Sequence, residues 1–301
     1  MKTIGAARGG ILGAILAMAC TWASAAEAPA DLSIHYEELT APQFAQAVEK
    51  SAGTCIIPLG VIEKHGNHLP LGTDLIACRE KAALAAQKEY TIVFPPYYFG
   101  QIFEAQHQPG TLAYSERLLF DLLRETCAEL ARNGIRKIIF LSGHGGNEHF
   151  LPYFCQTQLA SRKDYAVYLF TPAVDLEQDP QVQRLYHSTL DLHGGERETS
   201  VMLAIAPQLV HLESIAPGSG EDQNRLADLQ QTYTGIWWYA SFPDHYAGDG
   251  RKATWELGRL LLDKQVEQIA AMIREVKRDK TVLELQDKFF TTAEKPLSAA
   301  K

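Results

Sequence analysis

Apolar positions along the chain follow two alternating rhythms. Short runs at 54–62 (TCIIPLGVI), 91–95, 135–141 (IRKIIFL) and 165–170 are continuous in apolar residues and rich in β-branched ones. That is the pattern of strands buried on both faces of a parallel sheet. Between them, apolar residues recur every three or four positions, as on helices with one buried face. Such helices are expected from Thr40 to about Lys50, with Gln43 completing a capping box, from Leu75 to Lys88, from Ser115 to Asn133, from Asn147 to about Arg162, from Glu198 to Ala206, and from Thr254 to Lys277. The third carries a stripe of Leu118, Leu119, Leu122, Leu123, Cys127, Leu130 and Ala131 that reads as core. Strands alternating with helices predict an α/β fold, a three-layer, largely parallel sheet with helices on both faces. The loop at 97–114 is too long to be a mere connection, the segment 214–250 is rich in Gly, Trp and Tyr, and the chain from Lys280 onward reads as a loosely held tail.

Three polar clusters interrupt this pattern, and two of them follow predicted strands, where ligands bind in such sheets. The first is EKHGNHLPLGTD, residues 63–74, which holds four possible ligands. Extended backbone continuing past the strand would point Glu63 and His65 to one side. Gly66, Pro70 and Gly72 then let the chain turn back and bring Asp74 over the same spot ahead of the next helix. The second cluster, SGHGGN at 142–147, leaves the His144 imidazole unobstructed between glycines. A Gly-rich turn can also cradle phosphate, but this one lacks the Lys-Ser/Thr of a P-loop. The third, DLHGGERETS at 191–200, groups His193, Glu196 and Glu198.

Singly, each of these groups could be a solvated loop residue, and Glu196 with Arg197 could be a charged turn capping a helix. Together, Glu63, His65, Asp74, His144 and one of Glu196 or Glu198 make a hard N/O set of five ligands, suited to zinc, manganese or iron. Two ions fit if Asp74 bridges them. Ions paired about 3.5 Å apart can hold a bridging hydroxide and clamp a carbonyl oxygen, so hydrolysis of a small-molecule amide is the natural reaction.

Composition narrows the setting. With 301 residues, 46% of them hydrophobic, the chain can bury a full core. A net charge of −8 without a basic cluster argues against nucleic acid as a partner. Lys2 and Arg8, the apolar stretch Ile11 to Ala19, and Ala23-Ser24-Ala25 have the three parts of a secretory signal. Residues 1–25 are therefore expected to be a signal peptide and 26–301 a single metallohydrolase domain, periplasmic or secreted, without membrane contact after cleavage. An uncleaved anchor, or a lipoprotein modified at Cys20, is the alternative. The remaining Cys55, Cys78, Cys127 and Cys155 could form two disulfides or stay as buried thiols.

The three clusters resemble those of the creatininase family of metal-dependent amidohydrolases. The family's E-x-HGxHLPLGTD pattern appears at Glu63, His65 and Asp74, its strand running into GHGGN at Gly143 to Asn147, and its HxG followed by ETS at His193 to Ser200. The resemblance also touches PGTL at 109–112 and a late Gly-Asp-Gly, covering about residues 37–276. It implies a creatininase-like fold and two divalent ions, zinc first, with Asp74 bridging, Glu63 and His144 on one ion and His65 on the other. It also implies His193 as the proton shuttle and a homo-oligomer, a hexamer by family habit. Creatininase proper has an aromatic residue and a glutamate directly after the GH histidine, where this chain has Gly145 and Gly146. The fifth ligand is then Glu198, with Glu196 the second choice and otherwise placed in the catalytic set. The GHGGN form resembles branches acting on formamides or short peptide ends rather than on creatinine.

Two other function classes use the same residues. A metal carrier would bind the ions without turnover, and would not need His193. A lactonase, peptidase or phosphoesterase could use the same centre, although the absence of an Arg or Lys cluster near the motifs weighs against phosphate.

Overall fold

The computed structural model describes Met1 and residues 32–174, 178–229 and 231–298. The expected signal peptide, Cys20 included, falls outside the described residues apart from Met1. The strands are β1 (Thr54–Leu59), β2 (Ile92–Val93), β3 (Lys137–Ser142) and β4 (Ala166–Phe170). They form one parallel sheet in the order β2-β1-β3-β4. The helices are α1 (Ala41–Lys50), α2 (Thr73–Lys88), α3 (Glu116–Arg132), α4 (Asn147–Thr157), α5 (Pro180–Gln183), α6 (Glu196–Ile205), α7 (Trp237–Ser241), α8 (Trp255–Arg278) and α9 (Thr281–Ala293).

The twofold alternation of strand side chains divides the core into two layers. Cys55, Ile57, Leu59, Ile138 and Phe140 turn toward α1, α3 and α4, where Ala47, Leu123, Leu130, Leu151 and Phe154 meet them. Ile56, Ile139 and Leu141 turn the other way, onto Cys78, Ala82 and Ala85 of α2 and Leu262, Val266 and Ile269 of α8. This is the expected three-layer arrangement. Register runs from Thr54 opposite Lys137 to Leu59 opposite Ser142, so β1 and β3 end level with each other. The segments carrying Glu63 and His144 therefore emerge side by side.

Several sequence boundaries shift, each for a physical reason. β1 leaves the ladder after Leu59, because Gly60 passes against the first turn of α2, where a Cβ would lie 2.5 Å from Leu75 N. α2 starts at Thr73, so Asp74 sits inside its first turn rather than ahead of it. Asn147 does not cap α4; it is the first helical residue, and its Oδ1 accepts the Gln101 N–H at 3.2 Å, tying down the 97–114 loop. Leu118 of the predicted stripe is exposed, while Leu119, Leu123, Cys127, Leu130 and Ala131 are buried.

The expected tail after Lys280 is instead helix α9. It docks through Gln286, which donates to the carbonyls of Lys163 and Tyr165 at 3.3 and 2.9 Å, and through buried Phe290. The four cysteines are free thiols, not disulfides, and burial pushes those of Cys55, Cys78 and Cys127 upward. Among the described residues no helix is long and apolar enough to cross a membrane.

Candidate metal centre

Past the carboxyl ends of β1 and β3, Glu63, His65, Asp74, His144, His193 and Glu198 converge from β1's exit, α2, β3's exit and the start of α6. Glu63 and His65 are fully buried, and Asp74 nearly so. Asp74 turns its two oxygens to different imidazoles: Oδ1 lies 3.1 Å from His65 Nε2 and Oδ2 lies 2.9 Å from His144 Nδ1. Glu63 Oε1 joins the second group, 2.7 Å from His144 Nδ1. Glu198 Oε2 joins the first, 3.9 Å from His65 Nε2, and is held in place by the Gly194 N–H at 2.6 Å.

Backbone carbonyls fix the imidazole tautomers, a habit of metal-binding histidines. His144 donates from Nε2 to Gln101 O at 2.8 Å, which leaves Nδ1 as its acceptor, aimed at Glu63 and Asp74. His65 faces the Glu63 carbonyl with Nδ1 at 3.3 Å and presents Nε2 to Asp74. A neutral His144 would thus set one nitrogen lone pair against two carboxylate oxygens. Those two oxygens, Glu63 Oε1 and Asp74 Oδ2, are buried and receive no hydrogen bond despite their short distance to the ring. Acceptors packed together with nothing between them call for a cation, either a proton on the imidazole or a metal ion. Without metal the proton serves. Burial alone would lower the His144 pKa, but Glu63 and Asp74 override it and raise it well above the usual value. His65, against the same burial, is pushed up to about 10 by Asp74, Glu63 and Glu198. Glu63 in turn is held well below the carboxylate range by His144 and His193, although burial would raise it.

The residues therefore offer two ligand groups, Glu63, Asp74 and His144 in one and His65 with Glu198 in the other, and Asp74 Oδ1 facing His65 links them. His193 stands beside both groups, its ring 4.1 Å from that of His65. Its Nε2–H donates to Lys64 O at 2.8 Å, so Nδ1 is the basic nitrogen. Burial and the neighbouring His65 lower its pKa, which favours the neutral ring.

Two motif residues go elsewhere. Glu196 turns its carboxylate onto the His187 N–H at 3.1 and 3.0 Å and does not reach the cluster, so its assignment to the catalytic set is not met by its position. His68 donates from Nε2 to Thr199 Oγ1 at 2.8 Å, and Thr199 passes its own proton to Gly194 O.

Other site residues were missed in the sequence. His245 lies 2.5 Å from Glu63 Oε2 through Nε2, while its Nδ1 accepts the Trp238 indole N–H at 2.9 Å. Since an indole only donates, Nε2 carries the proton and donates to Glu63. His245 thus supports Glu63 directly, while His193, whose N–H is given to Lys64 O, lies 3.7 Å from the same carboxylate oxygen. His245 adopts a left-handed φ of 52°, unfavourable for a residue with a Cβ and a mark of a constrained site. The signal that could have found it is a histidine just ahead of the late Gly-Asp-Gly.

The cluster floors a cavity of about 630 Å³, within the range of small-molecule sites. Its walls include Trp237, Trp238 and Tyr233 as well as Glu104 from the 97–114 loop. Burial raises the pKa of Glu104. A Cβ on Gly146 would meet Glu104 Oε1 at 2.9 Å, so this carboxylate fills the space beside the glycine turn. Gly145 faces open space. Lys81 and Arg197 also line the cavity, which corrects the expectation that no basic side chains gather near the motifs. A more open depression of about 940 Å³ between α3 and α9, lined by Arg124, Arg132 and Asp287, holds no metal-ligating group of this kind among the described residues.

Known proteins resemble this chain in sequence and in fold. A sequence profile described as "Creatininase: Creatinine amidohydrolase" matches residues 37–273. The creatinine amidohydrolase of Pseudomonas putida is 29% identical over 199 residues, covering 61% of this chain and 76% of its own. The mycofactocin precursor peptide peptidase of Mycobacterium ulcerans (strain Agy99) is 28% identical over 227 residues, covering 72% and 83% respectively. A mutant creatininase of Zn-Zn type superposes with a TM-score of 0.69 at 25% identity, over 82% of this chain and 99% of the other.

Proposed function

The chain belongs to the creatininase family, and we propose that it is a hydrolase that uses two divalent metal ions to cleave a C–N bond of a small amide, a formamide or a short peptide end. The observation that carries this reading is Asp74, whose two oxygens face two separate His-carboxylate groups on the floor of one open cavity. Zinc and manganese suit the donor set. When bound, such ions polarise a carbonyl oxygen and lower the pKa of a water.

The chain's own residues supply the rest. Glu63, His65, Asp74, His144 and Glu198 hold the ions, with Gln101 O and His245 fixing the orientation of His144 and Glu63. His193 Nδ1 takes a proton from the attacking water and returns it to the leaving nitrogen, a role that suits a buried imidazole whose pKa is lowered. Its Nε2–H stays on Lys64 O throughout, which keeps the ring from rotating.

The cavity supports a substrate larger than a compact cyclic amide. Gly145 meets no atom within 4 Å, so the turn after His144 leaves that wall open. An adjoining cavity and a neutral base beside the ligands favour turnover over a carrier role. The test is a hydrolysis screen of metal-loaded protein over cyclic amides, formamides and short peptides, with His193→Ala as the control. Turnover lost in the variant is expected; wild type inert on every C–N bond overturns the reading.

We also propose export to the periplasm or beyond, on the signal features within residues 1–25, and assembly into a homo-oligomer. N-terminal sequencing of the mature protein and light scattering test these two points.

A further inference from the structure

To the lining of the cavity α2 contributes Lys81 and α6 contributes Arg197. Lys81 follows Asp74 by seven positions on α2, two helical turns along the same face, and Arg197 directly precedes Glu198. Both side chains are half-buried. Among the described residues neither forms an ion pair or a side-chain hydrogen bond, whereas Arg251, Arg259 and Lys264 are paired with carboxylates. Burial lowers the Lys81 pKa, and Arg197 adds to that while Cys78, Glu198 and Asp74 oppose it. Gln265 of α8 lines the same cavity.

An arrangement that desolvates two positive groups side by side is unfavourable unless an anion joins them. Asp74 and Glu198 act on Lys81, and Asp191, which accepts the Arg197 backbone N–H at 2.9 Å, acts on the guanidinium, but none of the three forms an ion pair with either cation. With two divalent ions bound, the charges of Asp74 and Glu198 would be spent on the ions and would offset the two cations less. From this juxtaposition we infer that Lys81 and Arg197 form a subsite for a carboxylate carried by the substrate, which makes the substrate an amide with an acidic arm, such as an N-acylated amino acid or the C-terminal end of a short peptide. A single carboxylate matches one guanidinium fork and one ammonium. A phosphate dianion matches less well, with Glu104, Asp74 and Glu198 lining the same cavity.

This inference rests on the hydrolase reading for the identity of the scissile bond, but its test does not. Metal-loaded wild type, Lys81→Met and Arg197→Met are titrated calorimetrically with N-acetylalanine and with its neutral counterpart N-acetylalanine amide, and the metal content of each is measured. Wild type should bind the acid about tenfold more tightly than the amide, a difference one charge-assisted contact supplies. Each variant should lose most of that preference while still binding two ions, and Arg197→Lys should keep part of it. Equal binding of acid and amide by wild type, no binding of either at millimolar concentration, or a preference retained in full by both Met variants would overturn the subsite. A cation-dependent preference in a protein that cleaves no C–N bond would sink the hydrolase reading and leave the subsite standing.

Discussion

His245 donates its Nε2–H to Glu63 Oε2 across 2.5 Å, and the Trp238 indole holds the ring in that tautomer from the other side. A residue far along the chain therefore aims a ligand at the end of β1. Removing such a support costs about 10- to 100-fold in metal affinity. His245→Ala is expected to fall in that range and Trp238→Phe below it, by chelator competition. Affinity unchanged in both would show that Glu63 is held by β1 alone.

His193 is expected to act on the proton and not on the metal. His193→Ala should reduce kcat by about 10²- to 10⁴-fold with both ions retained, as steady-state kinetics and metal content on one preparation will show. Loss of one ion together with activity would instead make His193 a ligand.

The metal-free centre has a pH signature. Folded His65 titrates at about 10, above its ordinary 6.5, because Asp74 and its neighbours hold the proton. A raised pKa stabilises the fold fully below 6.5 and loses that stabilisation as pH climbs through 10. The stability of metal-free wild type relative to His65→Gln should therefore shrink across that window in denaturant titrations. Metal affinity should rise over the same range, since binding displaces the proton. A stability difference independent of pH would mean that His65 is unprotonated without metal.

Helix α9 is anchored by one buried aromatic. Phe290 is buried beneath the Arg162 guanidinium, 5.7 Å from the ring centroid. Phe290→Ala should cost about 3 kcal/mol, read from denaturant midpoints, with the metal centre unaffected. A neutral outcome would return α9 to the status of a loose tail.

Much of this fold was legible in the sequence because β1 and β3 are buried on both faces, which turns a strand into a continuous apolar run. Strand exits then marked Glu63 and His144 without any tertiary information. α9 was not legible, since it buries little beyond Phe290 and shows no long apolar stripe. The choice between Glu196 and Glu198 depended on where α6 begins. Two positions apart on a helix, they point about 200° from each other, so only one can face the metals, and Glu196 caps His187 instead. His245 lies 182 positions from Glu63, Lys81 lies in an alanine-rich helix, and Glu104 lies in a loop with no motif. Their roles arise only from how α2, α6 and the loops pack around the sheet end.

The most direct test of the dinuclear centre is metal analysis of the mature protein beside Asp74→Ala. Asp74 turns one oxygen to each of the two groups. Wild type should carry two divalent ions per chain, and the variant should lose at least one from tight binding. Two tightly bound ions retained in Asp74→Ala, or none in wild type under saturating zinc or manganese, would contradict the account.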